Sequence, residues 1–137
     1  MRGGENSDLA PHLRMGKRGE QRAAEYLREQ GWEIETCNFR TKVGEIDIIA
    51  RRAVEGMGTM VAFVEVKSRA RGQKMAPELA VTAKKRRTIA RIARQYADRY
   101  GQPRTGYRFD VISVDFGKNP AEIQHFEGAF DATGKPY

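Results

Sequence analysis

Gly44-Glu45-Ile46-Asp47-Ile48-Ile49-Ala50 and Val61-Ala62-Phe63-Val64-Glu65-Val66-Lys67 are short apolar runs rich in β-branched residues, separated by a segment containing Gly56 and Gly58. Both read as β-strands. Strand side chains alternate faces with a period of two, so Glu65 and Lys67 project from the same face. Charged residues rarely sit inside such a run unless they are paired, ligated or catalytic. If the strands are neighbours, Asp47 comes alongside Glu65 and three charged groups converge. Asp47, Glu65 and the backbone carbonyl of Val66 make an oxygen-donor set of the kind magnesium takes, with manganese as a substitute. Lys67 is then placed to orient an attacking water or to stabilise a pentavalent phosphorane. The same residues also support a plainer reading, a structural salt bridge from Lys67 to Glu65 or Asp47 at a strand end.

Working outward, Lys17 to Gln30 has helical spacing, with Ala23, Ala24 and Leu27 on one face and Gly31 as a stop. Glu20 shares that apolar face. It is either a first-turn acid favoured by the helix dipole or an acid aimed into a site on the adjoining sheet. Trp32 to Phe39 alternates as a strand, with Cys37 as a core or strand residue rather than a nucleophile. Arg51 to Met60 reads as a flexible loop. Pro77 is a candidate helix opening, and Ile89, Ile92, Ala93, Tyr96, Ala97 and Tyr100 repeat at helical spacing before Gly101 and Pro103. Tyr107 to Phe116 is another alternating strand, and the tail from Asn119 carries Ile123, Phe126 and Phe130. The order predicts an α/β fold, a mixed sheet flanked by helices. Glu45 reads as a solvated acid near its strand start, and Asp110 as a structural acid or a further site residue.

At 137 residues the chain suits one domain, taken as 16–137 after a flexible leader at 1–15. Twenty-five Lys and Arg against 18 Asp and Glu give a net charge of +7. From Lys84 to Arg108 nine basic residues meet one acid, Asp98, a local excess of eight that exceeds the charge of the whole chain. Lys84, Lys85, Arg86, Arg87, Arg91 and Arg94 therefore form a candidate phosphate-binding surface, or else a solvated helix face. The single cysteine excludes an internal disulfide and fits a reducing, cytoplasmic setting. No stretch approaches a membrane span. His12 and His125 come with no nucleophile elbow, zinc spacing or phosphate-binding glycine loop.

Gly16-Lys17-Arg18-Gly19-Glu20, Asn38-Phe39-Arg40, Gly44-Glu45-Ile46-Asp47, Phe63-Val64-Glu65-Val66-Lys67-Ser68-Arg69 and Arg108-Phe109-Asp110-Val111 together resemble the YraN family of endonuclease-like bacterial proteins. The resemblance runs from about Gly16 into the tail. It implies a restriction-endonuclease or Holliday-junction-resolvase core, with Glu20, Asp47, Glu65 and Lys67 as the nuclease constellation. Asp47 and Glu65 would bind the metal, with Glu20 a further candidate ligand. One departure from the wider superfamily is Ile46 in place of a proline before the aspartate. The function so implied is magnesium-dependent cleavage of DNA, with branched DNA and a homodimer by analogy with resolvases. The competing expectation is a non-catalytic nucleic-acid-binding or partner-binding module that keeps the nuclease fold.

Overall fold

The computed structural model describes residues 11–70 and 81–135. Helix α1 (Pro11–Glu29) leads into strands β1 (Glu33–Arg40), β2 (Glu45–Val54) and β3 (Gly58–Arg69). Helix α2 (Ala83–Tyr100) then precedes strands β4 (Thr105–Asp115) and β5 (Glu122–Phe130). Among the described residues the strands form one sheet in chain order, antiparallel except for the parallel β3–β4 pair. A parallel pair needs a crossover, and α2 lies in it. The protein is α/β with a mixed sheet.

Helix α1 begins at Pro11, earlier than the apolar spacing from Lys17 suggests, so residues 11–15 are helical. Proline suits a first helical position, where its missing N–H has no partner to lose. Residues 1–10 lie outside the described residues, as does Pro77. The other end of α1 closes with two backbone bonds, Gly31 N–H to the Arg28 carbonyl at 3.0 Å and Trp32 N–H to the Leu27 carbonyl at 2.9 Å. Gly31 takes the left-handed conformation that this cap requires (φ 94°), and Trp32 is buried beneath it. Helix α2 starts at Ala83, where the Thr82 hydroxyl accepts a bond of 3.1 Å from the Lys85 amide.

The segment Arg51 to Met60 is a hairpin and not a flexible loop. Its residues pair as Arg51 with Val61, Arg52 with Met60, Ala53 with Thr59 and Val54 with Gly58. Gly56 and Gly58 supply positive φ (74° and 92°) at the turn. A Cβ on Gly58 would fall 2.1 Å from the Arg104 carbonyl oxygen. The charges of Arg51 and Arg52 obscure the strand because both arginines reach outward along it. Arg51 pairs with Glu35, and Arg52 lies over the Trp32 ring.

Alternation along the central strands sorts the core onto two faces. Val61, Phe63, Phe109 and Val111 pack with Ile89, Ile92 and Tyr96 of α2. Ala62, Val64, Ile112 and Val114 pack with Ala23, Ala24 and Leu27 of α1. The helices therefore cover opposite sides of the sheet. No helix among the described residues is long and apolar enough to cross a membrane.

On the α1 side, Asp110 is fully buried. Both its oxygens accept from Arg108 at 2.9 Å, and it also bonds the Gly128 amide at 3.0 Å and His125 Nε2 at 2.7 Å. His125 Nδ1 in turn meets the Tyr26 hydroxyl at 3.0 Å. Burial alone would raise the Asp110 pKa, but the bonds from His125, Arg108 and Gly128 hold it below the ordinary 3.8. This acid ties β4 to β5 and α1. Its stabilising contribution is present above the unfolded pKa and is lost as pH falls through the folded one. Asp110→Ala is expected to cost about 2–4 kcal/mol at neutral pH, because it removes the buried acceptor shared by Arg108, His125 and the Gly128 amide and leaves Arg108 only the more exposed Glu127. Urea denaturation checks this, and a loss under about 1 kcal/mol would contradict it.

Candidate active site

Strands β2 and β3 pair from Val54 and Gly58 as far as Ile48 and Val64, where their ladder ends. Beyond it Ile46 packs in the α2-side core, although Ile48, two residues away, packs in the α1-side core. Residues two apart in a regular strand share a face, so β2 turns over at Asp47. The β1 chain opposite has a matching irregularity. Asn38, between the pairs Cys37–Ile48 and Phe39–Ile46, has φ 56°. Asparagine tolerates that left-handed conformation better than a branched residue does. The result is a fork between β2 and β3 with Asp47 at its base.

Asp47 is only 8% exposed, and its Oδ2 accepts a bond of 2.8 Å from the Val66 amide, just past the end of the β2–β3 ladder. One carboxylate oxygen thus replaces a missing strand partner and fixes the other's direction. Glu65 is 4% exposed and follows Phe63 on the α2 side. Lys67 Nζ lies 3.7 Å from Glu65 Oε2, and the lysine is 33% exposed, so it links the buried acid to solvent. Glu65 Oε1 is buried with no hydrogen-bond partner among the described residues. Burial, and next the negative charge of Asp47, push the Glu65 pKa from 4.5 up to about 8, against the pull of Lys85 and Lys67.

Glu20 reaches the same fork from the opposite face. Burial, and next Asp47, push its pKa up to about 7, with Glu45 adding to the repulsion. A hydrogen bond with Asn38 and the charge of Lys17 act the other way. The approach of α1 depends on Gly19: a Cβ there would lie 1.8 Å from Ser68 Oγ on β3. Glycine lets the helix settle on the strand and carries the next residue to the fork. Asp47, Glu65 and Lys67 therefore come together in the gap between two strands, and Glu20 approaches from α1 closely enough to feel the charge of Asp47. Neither Gly19 nor Asn38 emerged as a site-building residue from spacing alone. A glycine inside a helix and an asparagine inside a strand, each against local propensity, were the available signals. Ser113 is a further such residue. It pairs with Lys67 across the β3–β4 ladder, and its buried hydroxyl has no partner among the described residues.

The remaining candidates separate. Lys85 lies near enough to Glu65 to lower its pKa. Lys84, Arg87, Arg91 and Arg94 are exposed along α2. Arg86 instead donates to the carbonyls of Gly134 (2.8 Å) and Val81 (2.5 Å), tying the C-terminal segment to the helix. Glu45 pairs with Arg40 at 3.0 Å near the start of its strand, as a surface ion pair.

The donors fit a hard divalent cation. Two buried carboxylates face each other's negative charge, and one carboxylate oxygen has no partner among the described residues. Among the described residues no group of three or more His, Cys, Asp or Glu forms a ready metal cluster. Magnesium commonly takes one or two protein carboxylates and fills its octahedron with water and substrate oxygens, so that count is sufficient.

The fold and the fork define an α/β protein with a restriction-endonuclease-like core. The family model described as "Uncharacterised protein family UPF0102" matches residues 19–114. A "UPF0102 protein" of Syntrophotalea carbinolica is 45% identical over 122 residues, 89% of this chain and 95% of the relative. One from Alkaliphilus oremlandii is 42% identical over 85% of this chain and 97% of its own length. One from Anaeromyxobacter dehalogenans is 37% identical, with 99% and 98% covered. The chain belongs to the UPF0102 family, also called the YraN family.

Proposed function

We propose that this protein is a magnesium-dependent endonuclease that hydrolyses phosphodiester bonds in DNA, branched or structured DNA included, in the cytoplasm. The observation that carries the reading is the fork itself. Asp47 and Glu65 are held together in a buried position, Glu65 with its pKa pushed up by burial and by the charge of Asp47, while Lys67 extends from the same strand face to solvent. A stability-driven sequence would place apolar residues there, because burying two carboxyl groups side by side costs free energy whether the second keeps its proton or loses it.

Asp47, Glu65 and the Val66 carbonyl would hold the cation, which supplies Lewis-acid charge at the scissile phosphate. Asp47 is already oriented by the Val66 amide and needs little rearrangement. Lys67 orients the attacking water and offsets negative charge as it grows on the phosphoryl oxygens. Glu20, kept part-protonated near neutral pH by its surroundings, takes or returns a proton at the rim of the fork. Lys84, Lys85, Arg87, Arg91 and Arg94 attract the sugar-phosphate backbone without reading sequence.

The test is a cleavage assay on single-stranded, duplex and four-way-junction DNA with magnesium or manganese. Cleavage that EDTA stops and added metal restores is the expected result. Failure to cut any of the three substrates with either metal would overturn the reading.

A further inference from the structure

Away from the fork, the edge of α2 that faces the β1–β2 turn is built differently. Thr88 and Ile92 pack directly on the turn: a Cβ on Gly44 would lie 3.0 Å from Thr88 Cγ2 and 3.6 Å from Ile92 Cδ1. At helical spacing the same edge carries Lys85 at the fork end and Gln95 and Arg99 at the other. Gln95 and Arg99 form one wall of a groove of about 440 Å³, and Arg40, Thr41 and Lys42 of the turn form the other.

The far end of the groove is aromatic. Phe39 and Tyr100 line it and also line an adjoining pocket of about 250 Å³ with Tyr96. The Tyr96 and Tyr100 rings are 5.1 Å apart, Phe39 meets Tyr96 edge-on at 5.6 Å, and the Arg99 guanidinium lies 5.5 Å from the Tyr100 centroid. Tyr100 is 47% exposed. The rim also offers polar atoms, because Tyr96 donates to Glu35 and Thr36 borders the same pocket.

Cations along a groove followed by an open aromatic ring are the two elements that bind an unpaired nucleotide strand. Phosphates sit against the cations, and the π-face of a base stacks on the ring. A duplex keeps those π-faces inside its own stack and has none to offer. We propose that this groove and pocket bind a single-stranded segment of nucleic acid, with a base against Tyr100 and its phosphates between Lys42 and Arg99. From Lys85 to Arg99 the helix rises about 21 Å. That distance spans about six stacked nucleotides. The groove lies at the opposite end of that helix edge from Lys85, with the contacts of Thr88 and Ile92 on the turn between them. This deepens the nuclease reading and rests on it only for the substrate class: DNA that carries an unpaired strand.

Binding is measured without catalysis, by fluorescence anisotropy in EDTA, with a labelled single strand about twelve nucleotides long and the same sequence as duplex. Tyr100→Ala is expected to weaken single-strand binding about tenfold and duplex binding by less than about twofold, while Tyr100→Trp retains the single-strand affinity. Lys42→Glu, on the turn wall of the groove, is expected to weaken single-strand binding and flatten its salt dependence. Circular dichroism of each variant confirms the fold. The proposal is overturned if Tyr100→Ala leaves single-strand affinity unchanged or lowers both affinities equally. If the wild type never cuts DNA but Tyr100→Ala still loses single strands selectively, the groove assignment stands and the catalytic reading falls. If the wild type cuts DNA and Tyr100→Ala binds single strands as the wild type does, the catalytic reading stands and the groove assignment falls.

Discussion

Lys67→Met is expected to slow single-turnover DNA cleavage by about 10²–10³-fold while changing DNA affinity little. The lysine stands two residues beyond Glu65 on one strand face, and its Nζ approaches Glu65 Oε2 to 3.7 Å. The backbone fixes the strand face from which the lysine projects, since β3 is paired on one side with β4 from Thr59 to Arg69, and Glu65 holds its ammonium. A donor fixed this way needs no reorganisation when charge grows on the phosphoryl oxygens, which is the source of the large factor. On the proposed reading affinity comes chiefly from the cations of α2, so a loss in kcat without a matching loss in binding marks a transition-state role. Lys67→Arg should rescue little, because a planar guanidinium offers its donors in a fixed fork where a compact ammonium is needed. A Lys67→Met enzyme that cuts within about threefold of wild type would remove Lys67 from the mechanism.

The strands, their acids and the basic helix were legible in the sequence because each follows from a short-range rule. Alternation placed Glu65 and Lys67 on one face, and the apolar spacing of Ile89, Ile92, Ala93 and Tyr96 set the buried stripe of α2. What the rules missed depends on contacts between elements. The hairpin at Arg51 to Met60 was hidden because its arginines are stabilised by Glu35 on β1 and by the Trp32 ring, neither of which local spacing reveals. The reversal of β2 at Asp47 depends on Asn38 opposite, in another strand. The place of Glu20 was open between helix dipole and site. What brings Glu20 near Asp47 is the close packing of Gly19 against Ser68, and that is a tertiary fact. The charge of Arg86 likewise suggested phosphate binding, whereas its guanidinium is committed to two backbone carbonyls. Net charge on a helix counts cations without saying which ones face solvent.

Glu65→Gln is expected to make the metal-free protein more stable above pH 8, by about 2 kcal/mol, while it removes cleavage. Glu65 is buried beside Asp47, and its pKa in the folded chain stands at about 8 against 4.5 for an ordinary glutamate. Below 4.5 the folded and unfolded chains both hold the proton, and the group contributes nothing to the pH dependence. Between 4.5 and 8 the unfolded chain has released its proton and the folded chain keeps it, so wild-type stability falls as pH rises. Above 8 the full charging penalty is present, on the order of 4–5 kcal/mol. Glutamine never charges and escapes it, but a buried amide short of partners returns about 1–3 kcal/mol of that gain. Glu65→Gln should therefore be no more stable than wild type near about pH 5 and gain its advantage only towards about pH 8.5, as read by urea denaturation in EDTA. Magnesium should reverse the order, because a cation bound only by the folded wild type adds about 2.7 kcal/mol at a hundredfold excess over its Kd. The variant lacks one of the two carboxylates and should gain much less. A Glu65→Gln protein less stable than wild type at about pH 8.5 in EDTA would show that this carboxylate serves the fold, as a salt bridge to Lys67 would. Greater stability, coupled to lost magnesium response and lost cleavage, would mark Glu65 as a residue that function keeps at the expense of the fold.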